Sequence, residues 1–384
     1  MAHHSSVFAQ LLRLLPRHAF EALAKQHHAG AALRSMSRWK QFVALAAAQL
    51  AGRQSLRAIE AMLKTQGARL YHLGGGPVPR ASLGRLNAEQ PYALFEALFH
   101  KLAAAAQRAG PGHRFRFKGK LWSFDASLIE LSLSWLPWAH FAHRKAAVKL
   151  HIGLDHGGYL PVFAAVAAPH ASDAEFVRRQ MLPPGSIAVF DKGCVSFALL
   201  AELTQRGAFF VTRMKEHNRV RVRAAHPVRP GSGVAADETV QILGQAARRE
   251  GLPPLRRVTY VDAETGRRYV FLTNHFRLAA RTIADLYQER WQIELFFKWL
   301  KQNLRITSFV GAMTNAVLTQ IWIALCVYLL LAYLKFANQL QSSMQQLLRL
   351  LHLNLFQRRD LLALLRADSV DPPPKWQQNQ LVLV

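Results

Sequence analysis

The run Leu121-Trp-Ser-Phe-Asp-Ala-Ser-Leu-Ile-Glu-Leu-Ser-Leu133 marks the point at which the chain stops repeating like a helix and starts repeating like a strand. Gly110-Pro-Gly112 ends the Ala- and Leu-rich stretch before it, and the run itself is dense in aliphatic and aromatic side chains. Its interior acid is Asp125. Glu130 lies an odd number of positions further on, so it points to the opposite face of a sheet. Two more strand-like runs follow, 147–155 (AVKLHIGLD) and 159–167 (YLPVFAAVA), divided by the turn chemistry of Asp155-His-Gly-Gly158. Three such runs in sequence predict an antiparallel meander.

Beyond the meander a polar helix over about 173–181 leads through Pro183-Pro-Gly185 into a short apolar strand, 186–190, that ends at Asp191; another helix begins near Val195. Hairpin-linked strands, a crossover helix and a strand with an acid at its end form an α/β arrangement open to several folds, ribonuclease H among them. Residues 208–274 again read as β, with runs at 208–212 and 219–223 and a hairpin of 255–261 with 267–273. Upstream, Phe8, Leu11, Leu12, Leu15, Phe42, Leu45, Leu50, Leu56 and Ile59 recur at helical spacing. The Gly/Pro-rich stretch 73–80 reads as a linker, and one long helix is expected over about 82–109. The predicted organisation is a helical N-terminal domain over 1–75, to which the charge and resemblance given below assign DNA binding, a linker and helix over 76–118, an α/β core over 119–207, a β-rich insertion over 208–275, a second core part with C-terminal helices over 276–366, and an irregular tail over 367–384.

Composition narrows the partner. With 49 Lys+Arg against 23 Asp+Glu the formal charge is +26, which opposes compaction unless a polyanion neutralises it. Nucleic acid is the expected polyanion. A membrane surface is the weakest option, because the charges are not gathered on one amphipathic helix. The 14 uncharged residues 321–334 fall short of the roughly 18 to 20 that span a bilayer, so they read as a buried helix. The N-terminus lacks an apolar signal region, and Cys194 and Cys326 form no CxxC or Cys/His pattern, so a reducing, cytoplasmic setting is expected with both thiols in the core. His140 and His143 are spaced like metal ligands but read better as structural or DNA-facing, and Trp135, Trp138 and Trp322 as packing groups.

The most informative segment is 286–303, LYQERWQIELFFKWLKQN. At about 100° per residue, Tyr287, Arg290, Glu294 and Lys301 share an arc of about 60° on one helix face, with Trp291 and Lys298 at its margin. Such a face is that of an exposed i, i+4 ion-pair ladder, or equally of a phosphate-handling surface. In the second case Glu294 needs further carboxylates, and Asp125 and Asp191 are the candidates. If their strands are neighbours the two acids face each other, repelling by up to about 4 kcal/mol at 4 Å and an effective dielectric of 20. One then stays protonated or Mg²⁺ is bound. Each acid also has a structural reading: Asp191 before Lys-Gly as a strand-ending turn, Asp125 as a satisfied internal polar group.

These residues resemble the DDE-type transposases of bacterial insertion sequences, in particular the IS-four-like group with a Tyr-(2)-Arg-(3)-Glu-(6)-Lys signature, which Tyr287, Arg290, Glu294 and Lys301 match without a gap. The blocks 134–139, 145–151, 207–213 and 291–305, and Phe8-Ala-Gln-Leu-Leu with Gln49-Leu and Ser55-Leu-Arg57 ahead of them, are similar to that group as well. The resemblance implies a ribonuclease H-like core with a β-rich insertion between the second Asp and the Glu, and an all-α N-terminal domain. It implies Asp125, Asp191 and Glu294 as catalytic metal ligands for two Mg²⁺ ions, with Mn²⁺ able to substitute. Tyr287, Arg290 and Lys301 would hold the phosphate of the non-transferred strand at a DNA hairpin. The group's Asp-Arg-Gly-Tyr appears here as Asp191-Lys-Gly-Cys194, which keeps the charge and loses an aromatic.

The expected activity is metal-dependent cleavage at the inverted repeats of its own element and strand transfer into target DNA, by a homodimer at the bacterial nucleoid. Further phosphate contacts are expected from Lys298, from Arg219, Arg221 and Arg223 alternating along one strand, and from Arg53 and Arg57 beside Arg34, Arg38 and Lys40. The segment His113-Arg-Phe-Arg-Phe-Lys-Gly-Lys120 reads either as a backbone-tracking stretch or as a strand with a basic face. Two other readings remain: an inactive or domesticated DNA-binding regulator, and a host nuclease that cuts without joining.

Overall fold

The computed structural model describes residues 5–33, 36–70, 73–74, 76–131, 140–141, 145–306 and 308–367. Arg34, Gly75, the run 134–139 with Trp135 and Trp138, His143, the side chain of His140 and the tail beyond 367 lie outside them.

Among the described residues, seven helices precede the sheet: α1 (Val7–Leu12), α2 (Arg17–Gln26), α3 (Arg38–Leu50), α4 (Leu56–Thr65), α5 (Gly67–Leu70), α6 (Arg80–Glu89) and α7 (Ala93–Ala109). Ser6, Ser37 and Ser55 cap α1, α3 and α4, each hydroxyl accepting from the backbone N–H three residues on. The single helix expected over 82–109 is two. Pro91 forces Gln90 into extended backbone (ψ 132°) and cannot itself donate, so α6 stops there and α7 restarts.

The strands are β1 (Leu121–Leu131), β2 (His140–Phe141), β3 (Lys145–Asp155), β4 (Leu160–Ala167), β5 (Ile187–Phe190), β6 (Phe209–Arg213), β7 (Val220–Ala225), β8 (Val234–Ile242), β9 (Leu255–Val261) and β10 (Arg268–Thr273). They form one sheet in the order β4-β3-β1-β5-β6-β10-β9-β8-β7, with the short β2 beside β4 on the outer edge of β3. β1 pairs with β5, and β5 with β6, in parallel; every other pairing is antiparallel. Gly153 lets the aromatic rings of β1 and β4 close over β3, since a Cβ there would lie 2.6 Å from Phe124 and 2.7 Å from Phe163. Helices α8 (Asp173–Arg178) and α9 (Phe197–Gln205) flank β5.

Two expectations change here. β6, assigned to the insertion, is a direct parallel neighbour of β5, and β10 pairs with β6, so the insertion lengthens the core sheet rather than standing apart from it. β8 was not foreseen, because Asp237 and Glu238 interrupt its apolar pattern. Both are answered across the ladder on β9: Asp237 by Arg256 at 2.7 Å in a buried pair, Glu238 by Arg257 at 2.6 Å. Likewise 113–120 is no strand: Phe115 and Phe117 turn onto a buried apolar cluster while Lys120 reaches Asp155.

After α10 (Gln245–Arg249) come α11 (Ala280–Glu289), α12 (Trp291–Asn303), α13 (Thr314–Ala337), α14 (Met344–Asn354) and α15 (Leu361–Ala367). α13 is long and apolar enough to cross a membrane, but its flanks are packed by α3, α6, α7, α14 and β4 and it is buried almost throughout. Trp322, Cys326 and Cys194 are buried as expected. The N-terminal helices share this core: α3 packs on α13, and α1 on α14 and α15. The opposite sheet face carries a smaller cluster, in which Leu121, Ile187, Val189 and Val211 meet Ile283 and Leu286 of α11.

Candidate active site

The parallel register sets the site. Phe124 of β1, Phe190 of β5 and Thr212 of β6 are in line, so the residues that follow them, Asp125, Asp191 and Arg213, form a row across three neighbouring strands roughly 4.8 Å apart. Side chains alternate along a strand, so Asp125 shares the face of Leu121, and Asp191 that of Ile187 and Val189. That is the face on which α11 packs.

The helix expected over 286–303 is broken at Arg290, which ends α11 and begins α12. Tyr287 therefore belongs to α11 and Glu294 and Lys301 to α12, and the single straight face is not what gathers them. Each is placed by its own contact. The Tyr287 hydroxyl donates to Asp191 Oδ1 at 2.7 Å. Arg290 donates through Nη2 to Glu294 Oε1 at 2.6 Å and through Nη1 to Asp125 Oδ2 at 3.5 Å. Lys301 Nζ donates to the Leu128 carbonyl at 2.9 Å, tying α12 to the far part of β1. Glu294 thus meets Asp125 through a guanidinium set between them.

Electrostatics separate the two aspartates. Burial pushes the Asp125 carboxyl above its ordinary range; the Ala126 amide and Arg290 oppose this, and the charges of Glu294 and Asp173 add to it. Asp191 is held below its range: burial works against this, but the Tyr287 hydroxyl, the Lys192 amide, Arg290 and Arg213 outweigh it. Tyr287 is raised by burial and by its bond to Asp191, so it stays a donor. Burial lowers Lys301, with Glu130 acting the other way.

Of the other residues singled out, Lys298 is exposed on α12, Arg53 in the loop between α3 and α4, and Arg57 on α4. Arg219, Arg221 and Arg223 are exposed at the β7 edge, but a bulge between Val222 and Ala224 breaks the register, so they do not form one regular stripe. Arg213 was missed. Its signal was available, as the cation ending the strand after the one that ends in Asp191. Asp173 was missed too: it lines a cavity of about 160 Å³ with Asp125, Asp191 and His151, and pairs with Lys149 at 2.7 Å. On the other side Tyr287, Arg290, Trp291, Arg213, Tyr269 and Phe271 help to wall a cleft of about 850 Å³.

Among the described residues no three His, Cys, Asp or Glu side chains are grouped closely enough to hold a metal ion. The donor chemistry of the row nevertheless fits a hard divalent cation: two carboxylates stand side by side, one of them raised by burial and like charge, with Arg290 the cation between them and a third.

The Transposase DDE domain family matches residues 118–330, and a domain of unknown function, DUF4372, matches residues 3–75. The Sinorhizobium fredii protein named transposase y4zB is 32% identical over 76% of this chain and 81% of its own length. The Geobacillus stearothermophilus protein named as the transposase of insertion sequence element IS5377 is 29% identical over 64% of each chain. That of element IS4SA in Synechocystis is 23% identical over 60% of this chain and 65% of its own length. Among solved structures, a piggyBac transposase synaptic complex with hairpin DNA aligns with a TM-score of 0.45 and 11% identity over 96% of this chain and 81% of that one, a likeness too slight to carry an argument. With more than half of its length matched by one family and a relative this similar over most of both chains, the chain belongs to the DDE transposase family.

Proposed function

We propose that this transposase cuts DNA at the ends of its own insertion sequence and joins them to target DNA by cut-and-paste through a DNA hairpin, as a member of the IS-four-like group with the Tyr-Arg-Glu-Lys signature. The observation that carries the reading is the row of Asp125 and Asp191 on parallel neighbours, with Glu294 facing it through Arg290. The strand order β4-β3-β1-β5-β6, antiparallel then parallel, supports a ribonuclease H-like core.

In this reading Asp125, Asp191 and Glu294 hold two divalent ions, Mg²⁺ or Mn²⁺. The chemistry supplied on metal binding is activation of a water or a 3′-hydroxyl and neutralisation of the departing oxygen. For Glu294 to join the aspartates Arg290 must release it, and a DNA phosphate is the natural acceptor for the freed guanidinium. Tyr287 orients Asp191 and can turn its hydroxyl to a phosphate; Lys301 and Lys298 extend the basic side of α12. Arg219, Arg221 and Arg223 at the β7 edge, Arg53 in the α3–α4 loop and Arg57 on α4 contact the backbone of a long duplex. The chain acts as a homodimer on paired ends, in the bacterial cytoplasm.

The test is double-strand cleavage and strand transfer on DNA carrying the element's inverted repeats, with Mg²⁺ or Mn²⁺. Activity is expected from the wild type and none from Asp125→Ala, Asp191→Ala or Glu294→Ala. Full cleavage by Asp125→Ala, or joining in EDTA, contradicts the reading.

A further inference from the structure

Glu289 is a buried carboxylate for which the cleavage chemistry has no use. It is the last residue of α11, and both of its oxygens are engaged. Oε1 takes the Arg114 guanidinium at 2.5 Å; Oε2 accepts the Tyr159 hydroxyl at 3.1 Å and faces His156 Nδ1 at 3.5 Å. His156 Nε2 in turn lies 2.7 Å from Ser123 Oγ. Ser123 and His156 are buried as well, so this Ser-His-Glu chain is closed to any substrate and is not a nucleophilic centre. Its two ends are informative. One lies on β1, two residues before Asp125, and the other abuts Arg290.

The break between α11 and α12 points the same way. Helix kinks usually come from Pro, Gly or an inserted group, yet 280–303 contains neither Pro nor Gly, and Arg290 itself keeps right-handed helical backbone (φ −53°, ψ −30°). At the break the hydrogen bonds tighten to i→i−3, Arg290 N to Tyr287 O and Ile293 N to Arg290 O. Nothing local in the sequence demands this turn, so contacts from outside hold it. Those contacts are the seating of α11 on the smaller apolar cluster and of α12 on the main core, and at the junction itself the grip on Glu289 and the Arg290 ion pairs.

We infer that Glu289 is a positioning residue of the cleavage centre: held by Arg114, Tyr159 and the His156–Ser123 arm, its carboxylate clamps the α11–α12 break to β1 and so sets where Arg290 and Glu294 stand relative to Asp125. The inference rests on the cleavage reading above. A buried group at a helix junction reaches the chemistry only through this placement, so its loss changes the fit of the acids to metal rather than the affinity for DNA.

The experiment measures single-turnover end cleavage, end binding by gel shift, the melting temperature and the half-saturating Mn²⁺ concentration for the full chain, for Glu289→Leu, Glu289→Gln and Tyr159→Phe, and for Asp125→Asn as the inactive reference. Glu289→Leu should cut about 10²-fold more slowly and need several-fold more Mn²⁺, with end binding within about threefold of wild type. Glu289→Gln, which keeps the volume and an oxygen for the Tyr159 hydroxyl, should restore most of the rate; Tyr159→Phe should lose less than Glu289→Leu. If Glu289→Leu does not fold, Glu289→Gln combined with Tyr159→Phe removes charge and hydroxyl at nearly constant volume, and it should show the same raised Mn²⁺ requirement. Variants that lower only the melting temperature, with rate and Mn²⁺ dependence as in wild type, overturn the inference. A wild type that binds ends but cuts no better than Asp125→Asn overturns the cleavage reading itself, and this inference with it.

Discussion

Arg290→Gln separates the two roles open to the guanidinium between Asp125 and Glu294. At 2.6 and 3.5 Å, and an effective dielectric of 20, its two ion pairs carry about 6 and about 5 kcal/mol of Coulomb attraction. Most of this is offset by desolvating a side chain that is only 12% exposed. Glu294, 35% exposed, is further screened by water, which leaves about 1 kcal/mol per pair. A divalent ion drawing on Asp125 and Glu294 must displace those pairs, so the wild type binds metal against a cost of about 1.4 to 2 kcal/mol that the variant does not bear, roughly a tenfold difference in affinity. The assay is thermal unfolding of EDTA-dialysed protein without DNA across a Mn²⁺ titration, where stabilisation grows as RT ln(1 + [M]/Kd). Arg290→Gln should be less stable without metal, reach half its metal-induced shift at about one tenth of the wild-type concentration, and fail to cleave DNA. An unchanged or weaker response to Mn²⁺ would refute the idea that Arg290 occupies the cation's place.

Three further outcomes follow from the same geometry. Asp125→Asn should abolish cleavage yet raise the melting temperature at pH 7.5 without metal, because burial and the neighbouring charges of Glu294 and Asp173 make the ionised carboxylate unfavourable in the fold. His151, pushed from 6.5 to about 4 by burial against the pull of Asp173, binds its proton more weakly when folded than when unfolded. Its share of stability is therefore present above pH 6.5 and lost on acidification towards pH 4, reaching about 2 kcal/mol at pH 5; chemical denaturation at pH 8 and pH 5 should show that loss shrinking in His151→Asn. In DNA binding, log K should fall with log salt at about −0.9 per neutralised phosphate, and Arg219→Ala with Arg221→Ala should flatten the slope by roughly two. An unaltered slope would remove β7 from the DNA path.

The aspartate pair was legible because it depends on short-range quantities. A parity count along β1 set Asp125 on one face apart from Glu130, and the crossover helix before 186–190 allowed β5 to lie parallel beside β1. What was not legible depends on contacts made at long range. β8 shows no apolar alternation because its charges are answered by Arg256 and Arg257 from another strand. Pro91 was read through, although its effect on Gln90 is local and was available. The break at Arg290 has no Pro or Gly to announce it, so periodicity counting ran a straight helix through Leu286-Tyr-Gln-Glu-Arg-Trp-Gln292, and the four polar residues it grouped are placed by side-chain contacts instead.

That error has a physical lesson for the site. A straight helix would offer Tyr287, Arg290, Glu294 and Lys301 as a rigid row, fixed by its own backbone. Instead Tyr287 is tied to Asp191, Arg290 to Asp125 and Glu294, and Lys301 to the Leu128 carbonyl, so the row is held by β1 and β5 through side chains. Each tie can be exchanged for a phosphate or a cation without unwinding a turn, since none of them is a backbone bond of α11 or α12. On the proposed cleavage reading, the arrangement without DNA is a resting state in which Arg290 stands in for positive charge between Asp125 and Glu294, and both carboxylates are freed for metal when its guanidinium turns to a phosphate.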